Sequence, residues 1–142
     1  MKLSEHFTLG EVTKTKYETK DGNFPSRVAL ENLTNLCENW LEALRQAQGP
    51  LIINSGYRSP EVNKFAGGSS TSNHLTGCAV DIRVAGFEQA VRYASILLDI
   101  SDGTKRNYDE LFIEKNKTGS HWIHFAVRPK DNRRKCKFIL TS

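Results

Sequence analysis

The chain has 142 residues, of which 38% are hydrophobic and 25% are charged. This composition is typical of one soluble folded domain rather than of a disordered protein. It contains no apolar run near the roughly 20 residues of a membrane span, and residues 1–6 lack the apolar centre of a secretory signal, so we expect synthesis in the cytoplasm. The odd number of cysteines, three, argues against a disulfide framework.

The first elements predicted along the chain are two helices separated by a loop. Residues Thr8–Glu11 form a capping-box pattern, which predicts a short helix. The polar segment 13–25 predicts a surface loop. Apolar residues then recur at three- and four-residue steps within Ser26–Gly49, which predicts a long helix packed against the core.

A strand is predicted to begin at Leu51, and a short helix runs from Ser59 to about Phe65. Arg58 lies where that strand ends, a location at which functional side chains are common. Its guanidinium could hold a carboxylate through two hydrogen bonds or stabilise the oxyanion of a tetrahedral intermediate. A structural ion pair is the alternative interpretation.

Two candidate metal ligands stand seven residues apart in the segment 72–81. His74 precedes a predicted strand at 78–82, and Asp81 lies inside it. An aspartate among apolar strand residues is costly unless it is paired or ligated. Imidazole nitrogen and carboxylate oxygen both bind zinc, and a catalytic zinc site takes three protein ligands. An ordinary polar histidine and a salt-bridged aspartate are the alternative interpretation.

A third ligand is predicted from a downstream strand. His124 lies in the apolar and aromatic run 120–125, which is typical of a buried strand that carries a histidine inward. We predict strands at 110–114 and 121–127, joined by a hairpin turn.

The remaining elements complete an α+β pattern. Residues 87–98 predict a second amphipathic helix, followed by a polar loop at Asp102-Gly103. Residues 135–140 predict an edge strand with lysines that discourage further pairing. We therefore predict one α+β domain spanning residues 1–142, with a mainly antiparallel sheet flanked by helices.

The candidate ligands belong to a longer ordered pattern. It consists of Ser55-Gly56-Tyr57-Arg58-Ser59, then Ser72-x-His74-x-x-Gly77-x-Ala79-x-Asp81, then Trp122-Ile123-His124. This pattern resembles the zinc D-Ala-D-Ala carboxypeptidase family, whose members cut peptidoglycan stem peptides and include carboxypeptidases, dipeptidases, endopeptidases and phage endolysins. The resemblance begins at Phe7–Glu11 and covers nearly the whole chain.

The resemblance implies a fold like that of hedgehog and the D-Ala-D-Ala peptidases. It also implies Zn2+ as the cofactor and His74, Asp81 and His124 as its ligands.

The general base stays open between two residues. Many family members carry an acidic residue three positions before the last histidine, where this sequence has His121. An imidazole titrates near neutrality, which favours His121, although residues three apart on an undistorted strand face opposite sides. Glu114, at the end of the partner strand, is the rival candidate.

Three further residues are assigned to the active site. Arg58 is expected to act on the substrate and in catalysis, as described above. Ser72 is expected in the substrate site, where its hydroxyl makes hydrogen bonds that orient neighbouring groups. Trp122 either walls the substrate pocket or fills the core, and the core is the preferred interpretation.

The predicted function is zinc-dependent hydrolysis of a peptide bond in peptidoglycan, by a carboxypeptidase or an endolysin-like endopeptidase acting at the cell wall. The alternative is a non-catalytic zinc-containing binding domain of the same fold, favoured by the lack of an acidic residue at position 121. The expected partner is a peptidoglycan peptide, and we expect a monomer. The net charge of +4 gathers after Arg128 without interleaved aromatic residues, which argues against nucleic acid as a partner.

Overall fold

Five strands form one mixed sheet in the computed structural model, which describes residues 1–141. In chain order they are β1 (Ile53–Ser55), β2 (Ala79–Arg83), β3 (Glu110–Lys115), β4 (His121–Ala126) and β5 (Lys135–Leu140). Their spatial order is β1-β2-β4-β3-β5, and all neighbours are antiparallel except β3 and β5. The predicted α+β fold with a mainly antiparallel sheet is confirmed, although β1 starts two residues later than predicted.

The helices are α1 (Leu9–Thr13), α2 (Arg27–Leu36), α3 (Glu42–Gln48), α4 (Pro60–Phe65) and α5 (Phe87–Thr104). A π-helical turn at Cys37–Leu41 joins α2 to α3, and the three segments together form the predicted long helix. The predicted capping box is present, because the Thr8 hydroxyl accepts from the Glu11 N–H and the Glu11 carboxylate accepts from the Thr8 N–H. Within residues 1–141 no helix has both the length and the apolar character needed to cross a bilayer.

The hydrophobic core lies on one face of the sheet, and a polar cleft lies on the other. Ile82 and Ile123 are paired across β2 and β4 and are fully buried against the helices, in the same cluster as Trp40 of the π-helical turn. The next pair in register, Asp81 and His124, points to the opposite face. Strand alternation therefore separates the core from the cleft.

Helix α5 extends beyond its predicted end. The sequence predicts a polar loop at Asp102-Gly103, but the helix continues to Thr104 and is followed by Lys105 in the left-handed conformation, with φ 60°. Gly103 does not stop the helix because a single glycine is tolerated there at modest cost. The Asp102 carboxylate in addition accepts from the Arg134 guanidinium at 3.4 Å.

Gly77 allows the segment that carries His74 to approach helix α2. It ends a 3-10 turn at Asn73–Thr76 and has φ +73°, in the left-handed region that favours glycine. A Cβ at this position would collide with the main-chain carbonyl of Ala29 in α2. Gly77 is therefore required by both its own conformation and its neighbour.

Replacing Gly77 with Ala should destabilise the protein more than the matched change Gly67→Ala. Gly67 has nearly the same φ, +74°, but no atom lies within 4 Å of the site of its Cβ. Conformational strain alone should cost roughly 1–2 kcal/mol at each glycine, and the collision should add about 1–3 kcal/mol at Gly77. Urea unfolding measures both free energies, and equal losses would show that the contact with α2 can relax.

Candidate metal centre

The structure brings the three predicted metal ligands together at one end of the cleft. Asp81 of β2 and His124 of β4 are direct partners in the sheet, and His74 arrives from the 3-10 turn. Asp81 Oδ1 lies 3.3 Å from His74 Nε2 and 3.0 Å from His124 Nδ1. All three donor atoms lie within 4.8 Å of one another.

The two distances to Asp81 Oδ1 fit a tetrahedral zinc site, in which bonds of about 2.0–2.1 Å place donors about 3.3 Å apart. The histidine tautomers fit as well. The ring N–H at Nδ1 of His74 donates to the Gly56 carbonyl at 2.7 Å, which leaves its Nε2 lone pair directed at the cluster. The Nε2 of His124 lies 2.9 Å from Glu110 Oε1, which leaves its Nδ1 as the donor to a metal.

The metal-free cluster is a strongly coupled set of charges. Burial alone would raise the pKa of Asp81, but the neighbouring His74 and His124 outweigh burial and hold that pKa below its usual range. Burial alone would lower the pKa of His124, but its hydrogen bonds to Asp81 and Glu110 raise it to about 10. A bound cation would replace the proton on His124 as the positive charge next to Asp81.

Glu110 is a supporting residue that sequence reasoning missed. Its Oε1 accepts from His124 and also from the Asn73 side chain at 2.7 Å. Asn73 in turn donates to Asp109 at 2.8 Å. Strand alternation alone places Glu110 on the same face as Glu114. Identifying His124 as the partner of Glu110 also requires the register of β3 against β4.

Arg58 and Ser72 both lie at the cleft, as predicted. The Arg58 guanidinium is 3.5 Å from Asp81 Oδ2 and donates from Nε to the Ser55 hydroxyl at 3.1 Å. The ion pair offered as the alternative interpretation of Arg58 is thus present, and it leaves further N–H donors facing the cleft. The Ser72 hydroxyl accepts from the His74 N–H at 3.1 Å, so Ser72 caps the turn that carries a ligand.

Glu114 and Trp122 are partners across β3 and β4 and line the same cleft, which has a volume of about 710 Å³. The Trp122 indole N–H donates to Glu114 Oε2 at 3.2 Å. Burial and the nearby charge of Asp81 raise the pKa of Glu114 above its usual value. Trp122 is half-buried and walls the pocket, so its core interpretation is wrong in this structure.

The preference for His121 over Glu114 as general base is not supported by the geometry. β4 is regular, so His121 faces the side of the sheet opposite to His124. Its ring packs against Phe87 at the start of α5, with centroids 5.7 Å apart. Of the two candidates, only Glu114 lines the cleft.

Two histidines and one carboxylate beside a cleft that contains a further carboxylate are the arrangement typical of metal-dependent hydrolases. Comparison with known families agrees. Residues 5–111 match the family model described as Peptidase M15, and the chain belongs to that peptidase family. The family predicted from the sequence is confirmed. Glu114 and His124 lie beyond the matched residues, so their assignment rests on the geometry.

One curated relative is similar over part of the chain. A stretch of 80 residues is 34% identical to the zinc D-Ala-D-Ala carboxypeptidase of Streptomyces albus G, and it covers 54% of this chain. The matched part spans only 31% of that relative's length.

Zinc binding at pH 7.5 should release the proton that His124 holds at Nδ1 in the metal-free protein. This follows because the His124 pKa of about 10 keeps the ring protonated, whereas a metal ligand must be free of that proton. Asp81, with its lowered pKa, is already ionised. Affinity should therefore fall about tenfold for each pH unit of acidification below 10. Calorimetry in buffers of different ionisation enthalpy measures the release, and a heat independent of the buffer would contradict it.

Glu110→Ala should weaken zinc binding about 10- to 100-fold, because His124 loses the acceptor that fixes its ring. Glu110→Gln is the matched control, since its amide oxygen still accepts from His124 and from Asn73. A competition titration with a zinc-binding dye measures both affinities. Equal weakening in the two variants would show that the charge of Glu110, rather than its hydrogen bond, supports the site.

Proposed function

We propose that this protein is a zinc peptidase that hydrolyses a peptide bond in peptidoglycan stem peptides or crosslinks. The observation that carries the proposal is the convergence of His74 Nε2, Asp81 Oδ1 and His124 Nδ1 beside the cleft that Glu114 lines. Membership of the Peptidase M15 family supports the reaction class. The partial similarity to a zinc D-Ala-D-Ala carboxypeptidase supports the choice of substrate.

The cofactor is zinc, and the three residues named above would hold it. When bound there, zinc supplies a Lewis acid that polarises the scissile carbonyl and lowers the pKa of a coordinated water to about 7. The chain itself keeps both imidazoles in the required tautomer through the Gly56 carbonyl and the Glu110 carboxylate.

Glu114 acts as the general base and takes the proton of the attacking water. Its Oε2 accepts from the Trp122 indole, so Oε1 is the oxygen that is free to receive a proton. The raised pKa of Glu114 lies closer to neutral pH than that of an ordinary carboxyl, and proton transfer is most effective when the pKa of the base is near the working pH. The protonated Glu114 can then donate to the leaving amine.

Arg58 would position the substrate in the cleft. Its link to Asp81 Oδ2 holds the guanidinium beside the candidate metal site. Its remaining N–H groups can stabilise the oxyanion or bind a carboxylate of the peptide. Ser72 contributes indirectly, by capping the turn at His74.

The competing hypothesis of a non-catalytic zinc domain was favoured by the missing acidic residue at position 121. Glu114 supplies a carboxylate at the cleft from the neighbouring strand, so that feature no longer distinguishes the two hypotheses. We propose the cell wall as the place of action and a monomer as the active form.

The proposed function predicts chelator-sensitive release of new termini from peptidoglycan. Zinc-loaded protein is incubated with muropeptides of the common crosslink types, and the products are identified by liquid chromatography and mass spectrometry. We expect one class of peptide bond to be cut, with activity lost after chelation and restored by zinc. Stoichiometric zinc without cleavage of any muropeptide would favour the non-catalytic domain.

Glu114→Gln should lower kcat about 100- to 10,000-fold while zinc content stays stoichiometric, because the variant cannot accept the proton. His121→Ala is the matched control and should stay within about threefold of the wild type, since its ring packs at the opposite face. Peptide hydrolysis and metal analysis are measured on the same samples. Inactivity of His121→Ala with zinc retained would restore His121 as the base.

A further inference from the structure

A second cavity, of about 550 Å³, adjoins the metal cleft at Arg58. Its floor contains the buried side chains of Tyr57 and Val62, and one wall is the loop segment 14–17. Because Arg58 lines both spaces, a peptide that leaves the metal cleft past this guanidinium enters the second cavity. No role has so far been given to this space.

The cavity is cationic. Lys14, Lys16 and Arg58 line it, and no carboxylate side chain of residues 1–141 does. Both lysines are exposed, and none of the salt bridges within residues 1–141 involves either of them. A concave surface lined by charges of one sign attracts ligands of the opposite sign. The Lys16 ammonium lies over the Tyr17 ring, 5.3 Å from its centroid, and the charges of both lysines remain available to an anionic ligand.

The wall of the cavity is anchored to the rest of the fold. Asn23, which is only 3% exposed, donates to the carbonyls of Thr13 and Tyr57 and accepts from the Ser59 N–H. The Tyr17 ring stacks on Phe65 of α4, with centroids 5.8 Å apart. The loop is thus tied to the segment Tyr57–Ser59 that follows β1 and to α4, which leaves the lysines beside a formed cavity.

We propose that this cavity binds a carboxylate of the peptide substrate that lies outside the scissile bond. The proposal rests on the proposed function and adds a specificity determinant to it. The apolar floor at Tyr57 and Val62 accommodates the aliphatic part of an acidic residue, and Lys14 and Lys16 pair with its carboxylate. The carboxylate belongs either to a side chain or to the C-terminus of the peptide.

The test compares peptides that share one cleavable bond and differ only in a carboxylate or a carboxamide at a single position. One series varies an acidic side chain at each position near the scissile bond, and a second series varies the C-terminus. The proteins are the wild type, Lys14→Gln/Lys16→Gln, and the control Lys105→Gln/Lys117→Gln. The control removes the same charge from exposed lysines that line neither cavity. All values of kcat/KM are measured at low ionic strength, where exposed charges act most strongly.

The preference of the wild type for the carboxylate peptide should fall about fivefold in the Lys14/Lys16 variant, in the range expected for two exposed ion pairs. The control should keep the wild-type preference. The series in which the preference falls identifies the source of the carboxylate. An unchanged preference in the Lys14/Lys16 variant, or an equal fall in the control, overturns the proposal.

Measurements of peptide binding test the cavity independently of catalysis. The same peptide pairs are titrated by calorimetry into zinc-loaded Glu114→Gln and into Glu114→Gln combined with the two lysine changes. The carboxylate preference in affinity should again fall about fivefold when the lysines are removed. If the wild type cleaves no peptide, the proposed function fails, and this titration still decides whether the cavity recognises a carboxylate.

Discussion

The buried carboxylate of Asp81 is the constraint on which the cleft depends. Its Oδ1 faces His74 and His124, its Oδ2 faces Arg58, and the residue is only 8% exposed. Removing an ionised carboxylate from water costs several kcal/mol unless positive partners surround it. The three partners come from separate segments of the chain, so the charge of one strand residue fixes where a turn, a strand and a strand-to-helix junction must meet.

The register of the sheet decides which side chains share that environment. The β2–β4 pairing sets Asp81 beside His124, and the β3–β4 pairing sets Glu114 beside Trp122 on the same face. The alternate residues face the helices, and His121 is one of them. A shift of one residue in either pairing would exchange the polar set for the apolar set. The hydrophobic core therefore specifies the composition of the cleft.

Local signals in the sequence predicted most of the elements, and together with the ordered family pattern they selected three side chains that the structure brings together. The capping box at Thr8 and the alternation around Asp81 depend on near neighbours, and each predicts its element correctly. Glu110 was missed because its role depends on non-local pairing between β3 and β4, which no single segment encodes. The preference for His121 rests on chemical suitability, whereas the alternation of the regular strand β4 turns its ring away from the cleft.

The basic segment that begins at Arg128 contains an arginine that pairs with a buried carboxylate. Asp109 is fully buried, and the Arg133 guanidinium donates two hydrogen bonds to it, of 2.9 and 2.7 Å. Asp109 also accepts from Asn73, which contacts the Glu110 carboxylate that holds His124. A charge that resembles part of a solvated tail in the sequence is thus continuous, through hydrogen bonds, with the metal centre. The Arg133 guanidinium also lies 3.6 Å from Glu110 Oε2, so it neutralises both carboxylates that stand behind the His124 ring.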